Sequence, residues 1–283
     1  MEKLDHLGWV VGHTFEIANS RFQIRSTSRG FGKWFEEVLA PYRVRVEAEP
    51  LYSVVVPESD SQSGLGRRYH LLYRGSRVVA RTLDPQTIGQ ALLADLESLL
   101  FAGRDDAVFI EGTFLRSNGA SAVVPGVLRP ILDGLGRRVA RAGIALPVTG
   151  FVSVDLTTGL LGPIEPLLSV PPDASARLQP FGAADPMRRG DPDLALVDRP
   201  QPVDVICTLG TNDGSRMHPA TRGTALHWVG TRIVNLRMLG SPALEAAAKL
   251  LRSARCYELG PMRAPEVLEV LQGLLQPNGR GDG

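Results

Sequence analysis

The chain has 283 residues, 43% of them apolar and 22% charged, with a net charge of +1. That suffices for one large or two ordinary packed domains, and it gives no reason to expect nucleic acid or an anionic membrane as principal partner. Two cysteines, Cys207 and Cys256, stand far apart and outside any metal-ligand spacing, and no run approaches 18 apolar residues. A disulfide framework, a secretory leader and a membrane span are therefore not expected; a reduced, cytoplasmic chain is.

In chain order, the alternation Phe15/Ile17 and Phe22/Ile24 around Asn19-Ser20 predicts a β-hairpin. Gly32–Ala40 has Trp34, Phe35, Val38 and Leu39 at helical spacing and stops at Pro41. Tyr52–Val56, Tyr69–Tyr73 and Arg77–Ala80 read as strands, with Ser59–Gly66 a polar loop and Arg74-Gly75-Ser76 a turn. Thr87–Leu100 is an amphipathic helix with Ile88, Ala91, Leu92, Leu96, Leu99 and Leu100 on its stripe. Gly103–Asp105 follows as an exposed connection, so 1–104 reads as an α+β module ahead of an α/β core at 105–276.

In the core, Ala107–Leu115 and Ala120–Val124 flank the turn Ser117-Asn118-Gly119. After Pro125-Gly126, Pro130–Ala142 has helical periodicity up to Gly143, and Phe151–Val154 is a further strand carrying Asp155. With Val203–Leu209, these runs are expected to form one central mixed sheet flanked by helices. Residues 159–203 read as irregular, with only Leu194–Val197 strand-like, and Gly210–Pro219 as a loop. Arg222–Leu239, Pro242–Arg252 and Pro265–Leu275 read as helices, the second with Leu244, Ala247, Ala248 and Leu251 inward. The tail at 277–283 is expected to be disordered.

Strand, glycine turn, helix and strand is the layout of a phosphate-binding P-loop, which requires G-x-x-x-x-G-K-[ST]. After Gly126 the chain instead reads VLRPILDGLG, and its only lysines are Lys3, Lys33 and Lys249. Arg129 could meet phosphate as a point charge, but Pro130 removes an amide donor. Val127, Leu128 and Ile131 are expected to turn inward and fill the space a triphosphate needs. The five histidines have no metal spacing, so neither a metal nor a cofactor is expected. Cys207 reads as core, and Ser117 and Ser121 lack a nucleophile-elbow context. Glu111 is either a pocket carboxylate beside Asp155 or a solvated one. Asn235-Leu236-Arg237 is either a satisfied buried polar group or the remnant of a ligand site. Arg67, Arg68, Tyr69, Arg74 and Arg77, with His70 among them, form a basic face that either receives an acidic peptide or is simply solvated.

The order of these elements resembles the HPr kinase/phosphorylase-related proteins, the HPr-kinase-like branch of the phosphoenolpyruvate-carboxykinase fold. The resemblance rests on GHTFEIANSRFQIRSTSRGFGKWFEEVLAPYRV, on ASAVVPG and RRVARAGIALPVTGFVSVDLTTGLLGPIEPL, and on VDVICTL with RIVNLRMLGSPALEAAAKLLRSARCYEL. It implies a nucleotide loop at Pro125, Gly126 and Arg129, here degenerate. The family's strand histidine falls in Phe109–Gly112 and its acidic pair at Thr149-Gly150-Phe151, where neither is present. Asp155 resembles a later, structural aspartate before the Thr157-Thr158-Gly159 turn. The resemblance thus implies a non-catalytic accessory or recognition protein holding a precursor peptide or a modifying enzyme in ribosomal-peptide biosynthesis. The alternative is an ATP-dependent peptide or small-molecule kinase using Arg129. A third reading is a homo-oligomeric scaffold with no ligand, since the kinase relatives assemble into oligomers.

Overall fold

The computed structural model describes residues 6–18, 20–57, 69–146, 150–164, 197, 199–210 and 216–276. The loop Ser59–Gly66, Arg67, Arg68, Thr149, Leu194–Leu196 and the tail at 277–283 lie outside the described residues. The chain is α/β, and its described residues divide into two compact units, one up to Leu100 and the other from Phe101 onward.

The first unit is built on a six-stranded sheet. Its strands are β1 (Val11–Ile17), β2 (Ser20–Ser26), β3 (Arg43–Val44), β4 (Pro50–Val55), β5 (His70–Arg74) and β6 (Arg77–Thr82), in the order β3-β1-β2-β4-β5-β6. Phe15, Ile17, Phe22, Ile24, Tyr52, Val54 and Leu72 all enter one core, which follows from their period-two spacing on consecutive strands. Helices α1 (Arg29–Val38) and α2 (Pro85–Ala102) contribute Phe31, Trp34, Phe35 and Val38, and Ile88, Leu92 and Leu96, to the same core. The Ser28 side chain caps α1 by accepting from the Phe31 amide. The Tyr52 hydroxyl donates to Asp95 on α2 at 2.8 Å, and Arg74 donates to the same oxygen at 3.0 Å. This ties β4 and β5 to the helix.

The second unit has two sheets. One is three-stranded, from β7 (Val108–Glu111), β10 (Phe151–Val154) and β11 (Leu161–Gly162). The other is five-stranded, from β8 (Thr113–Ser117), β9 (Ala120–Val124), β12 (Val205–Leu209), β13 (Met217–Pro219) and β14 (Arg255–Leu259), in the order β13-β14-β12-β9-β8. The expected single sheet is therefore corrected. The apolar run at 107–115 breaks at Gly112, and its first half pairs with Phe151–Val154 instead. A Cβ at Gly112 would meet the Val124 carbonyl oxygen at 3.2 Å, so a side chain there would crowd this crossing. Asn118 and Gly119 both have positive φ, as a two-residue hairpin turn requires.

β9, β12 and β14 run parallel and are covered on both faces. One face meets α3 (Arg129–Arg141) and α7 (Ala264–Leu274) through Leu128, Leu132, Val139, Val267 and Leu271. The other meets α4 (Arg222–Arg232) and α6 (Ser241–Ser253) through Ala225, Val229, Ala243, Ala246 and Ala247. The inward face of α6 differs from expectation. Ala243 and Ala246 are buried and Leu244 is exposed, and the helix backbone at Ala246 and Leu250 comes close to Gly159.

The expected single helix over Arg222–Leu239 is also corrected. It stops at Arg232 and restarts as the short α5 (Leu236–Leu239). Between them Ile233 bridges Ile110, and the Val234 amide donates to the Phe109 carbonyl at 2.9 Å. Asn235 is 1% exposed. Its Oδ1 accepts from the Phe109 amide at 3.1 Å, and its Nδ2 donates to the carbonyls of Ala107 at 2.7 Å and Arg104 at 2.8 Å. Of the two readings of Asn235, the satisfied buried group is the one the geometry carries: its amide closes one edge of β7. Cys207 and Cys256 are both buried and unpaired. Cys207 faces the α3/α7 core and Cys256 the α4/α6 core, and burial pushes the Cys207 thiol up to about 12.

Candidate functional site: the turn after the second core hairpin

In open α/β sheets, ligands bind beyond the carboxyl ends of parallel strands. The segment in question here is the one that leaves β9 at Val124. It forms a single 3-10 turn over Gly126–Leu128 and enters α3 at Arg129. A phosphate nest needs consecutive free amide donors. The Leu128 amide is spent on the Pro125 carbonyl at 3.0 Å, and the Arg129 amide on that of Gly126. Pro130 has none to offer. The turn is therefore wound on itself, with two of its donors consumed and a third absent.

The side chains close it further. Leu128 is 7% exposed and Ile131 packs beside it against the same core. Val127 departs from expectation: it is 53% exposed, because the 3-10 turn points that position outward. The Arg129 Nε donates to both Asp133 oxygens, at 2.9 and 3.0 Å, one helical turn along. Such an i,i+4 pair contributes only about 0.3–0.5 kcal/mol. Its importance here is orientational, since it holds the guanidinium along α3. Asp133 was visible in the sequence at that spacing and was not connected with Arg129 there.

Glu111, at the carboxyl end of β7, borders this turn. A Cβ on Gly126 would lie 3.5 Å from its Oε1. The structure does not bring Glu111 to Asp155. β7 and β10 are antiparallel, with Glu111 opposite Phe151 and Val108 opposite Val154, so the two carboxylates sit at opposite ends of the sheet. Glu111 instead faces Arg232 across 3.6 Å, a residue that sequence reasoning passed over. A second pair it missed lies on β13 and β14. His218 Nε2 is 3.3 Å from Glu258 Oε2, and a Cβ at Gly210 would lie 2.1 Å from Glu258 Oε1, so a side chain there would push that carboxylate aside. Among the described residues no group of three or more His, Cys, Asp or Glu side chains converges as a metal site would need.

Asp155 is a turn residue. Its Oδ1 accepts from the amides of Thr157 at 3.1 Å and Thr158 at 2.6 Å, and from the Thr158 hydroxyl at 2.7 Å. The Thr158 hydroxyl, its amide and the Thr157 amide hold the carboxyl below the ordinary carboxylate range. A depressed carboxyl stabilises the fold above its unfolded pKa, and that contribution is lost as pH falls through the folded value. Asp155→Asn should therefore flatten the loss of thermal stability below about pH 4 relative to the parent chain. Parallel melting curves from pH 6 to 2.5 check this, and identical acid-side slopes would contradict it.

On the first unit, the residues read as a basic face have separate roles. Arg67 and Arg68 lie outside the described residues. Arg74 is held by Asp95, and Tyr69 lies under the guanidinium of Arg81 at 3.9 Å. Arg77 is exposed at the start of β6. No helix among the described residues is long and apolar enough to cross a membrane. Comparison of the chain with protein-family models, with curated proteins and with solved structures returned no match.

Proposed function

We propose that this chain is a non-catalytic recognition protein on an HPr-kinase-like core, holding a precursor peptide or a partner enzyme in ribosomal-peptide modification. The observation that carries the reading is the turn after β9. The Leu128 and Arg129 amides are turned onto carbonyls of the turn itself, and the Arg129 guanidinium pairs with Asp133. Phosphoryl transfer depends almost wholly on positioning and charge stabilisation at the transferred phosphate. A turn with two amides consumed and a third absent, and with no lysine or acidic pair at the expected positions, is poorly equipped for either. A scaffold with such a turn is suited to binding rather than to turnover.

Incubation with γ-labelled Mg-ATP tests the reading. The parent chain and Arg129→Ala should release and transfer no label above buffer, and should do so equally. Turnover by the parent chain that Arg129→Ala abolishes would move the chain to the kinase class.

A further inference from the structure

The six-stranded sheet ends on β6, and among the described residues no strand pairs with its outer side. An open strand edge offers N–H and C=O groups to another chain. The side chains on this edge select what that chain can be. Arg77 and Arg81 are both exposed. The β5–β6 register shifts by one residue between Leu72 and Tyr73, so that Arg74 faces Arg77 while Leu71 faces Arg81. Cross-strand partners share a face of the sheet. Arg74 reaches Asp95 on the helix side, whereas Leu71 alternates with the core residue Leu72 and so faces away. The two arginines therefore flank the edge on opposite faces. Val78 and Leu83, 48% and 50% exposed, add apolar surface beside them.

A second copy of this chain is a poor occupant. Antiparallel pairing of two β6 edges would bring two copies each of Arg77 and Arg81 to one seam, and β6 has no carboxylate to offset them. An extended segment bearing carboxylates has the opposite sign and can approach either face.

We propose that β6 is a docking edge that receives an acidic, extended peptide segment by strand addition. The proposal rests on the recognition reading above and names the chemistry of the partner. The probe is a fluorescein-labelled acidic peptide, EVEEVEVE, titrated into the full chain at low salt. Saturable binding is expected, with slowed amide exchange in β6, and about tenfold weakening at 0.5 M salt. The same peptide N-methylated at alternate residues, which cannot form the ladder, should bind at least about tenfold more weakly, as should KVKKVKVK. The double change Arg77→Glu with Arg81→Glu should weaken binding by a similar factor at an unchanged melting temperature. No binding, equal binding of the N-methylated peptide, or slowed exchange confined to elements other than β6 would each overturn the proposal. ATP turnover that depends on Arg129 would sink the recognition reading and leave these outcomes untouched, so the two failures are distinct.

Discussion

Asn235→Ala should destabilise the second unit by about 3–5 kcal/mol, read as a fall in urea midpoint at unchanged slope. The side chain is fully buried and makes three hydrogen bonds, all to the backbone of the segment that leads into β7. Truncation leaves the Phe109 amide without its acceptor and the Arg104 and Ala107 carbonyls without a donor. Each such buried group costs about 1–3 kcal/mol. Asn235→Asp should be no milder. It retains an acceptor for Phe109 but loses both donors and introduces a charge where water is excluded. A cost under about 1 kcal/mol for Asn235→Ala would mean that Asn235 is not what secures this edge.

Gly159→Ala should cost about 3 kcal/mol or more. Gly159 has φ +73, and a Cβ there would lie 2.4 Å from the Lys249 Cβ and 3.0 Å from the Ala246 oxygen and the Leu250 nitrogen of α6. A left-handed non-glycine residue carries about 1–3 kcal/mol of strain, and overpacking adds about 1–3 kcal/mol. Gly119→Ala separates the two contributions. Gly119 has φ +80, but nothing lies within 4 Å of a Cβ there, so it should show the conformational part alone. Equal losses at the two positions would show that α6 yields to the added carbon.

These two residues also mark where the sequence could be read and where it could not. The turn at Asp155 was legible because Asp-x-Thr-Thr-Gly carries its own local hydrogen bonds. The hairpin at Asn118-Gly119 was legible for the same reason, since positive φ has a residue signature. The stripes of α1, α2 and α7 follow from large apolar side chains at helical spacing. The split at Gly112 was not legible, because Val108–Ile110 before it and Phe114–Leu115 after it are equally apolar and the choice of sheet is tertiary. The helix break at Ile233–Asn235 was hidden likewise. Its apolar residues continue a helical pattern, while their backbone pairs with β7, over a hundred residues earlier in the chain. β13 and β14 escaped notice because short strands with a His or Glu in them lack a period. At the candidate site, the missing lysine and Pro130 were plain in the sequence. The consumption of the Leu128 and Arg129 amides, and the outward turn of Val127, required the backbone.

We propose that the turn after β9 is closed to nucleotide. Isothermal titration of Mg-ATP into the full chain tests it most directly. The closed turn predicts no saturable heat up to millimolar nucleotide, with Arg129→Ala indistinguishable from the parent chain. Saturable micromolar binding that Arg129→Ala removes would contradict it.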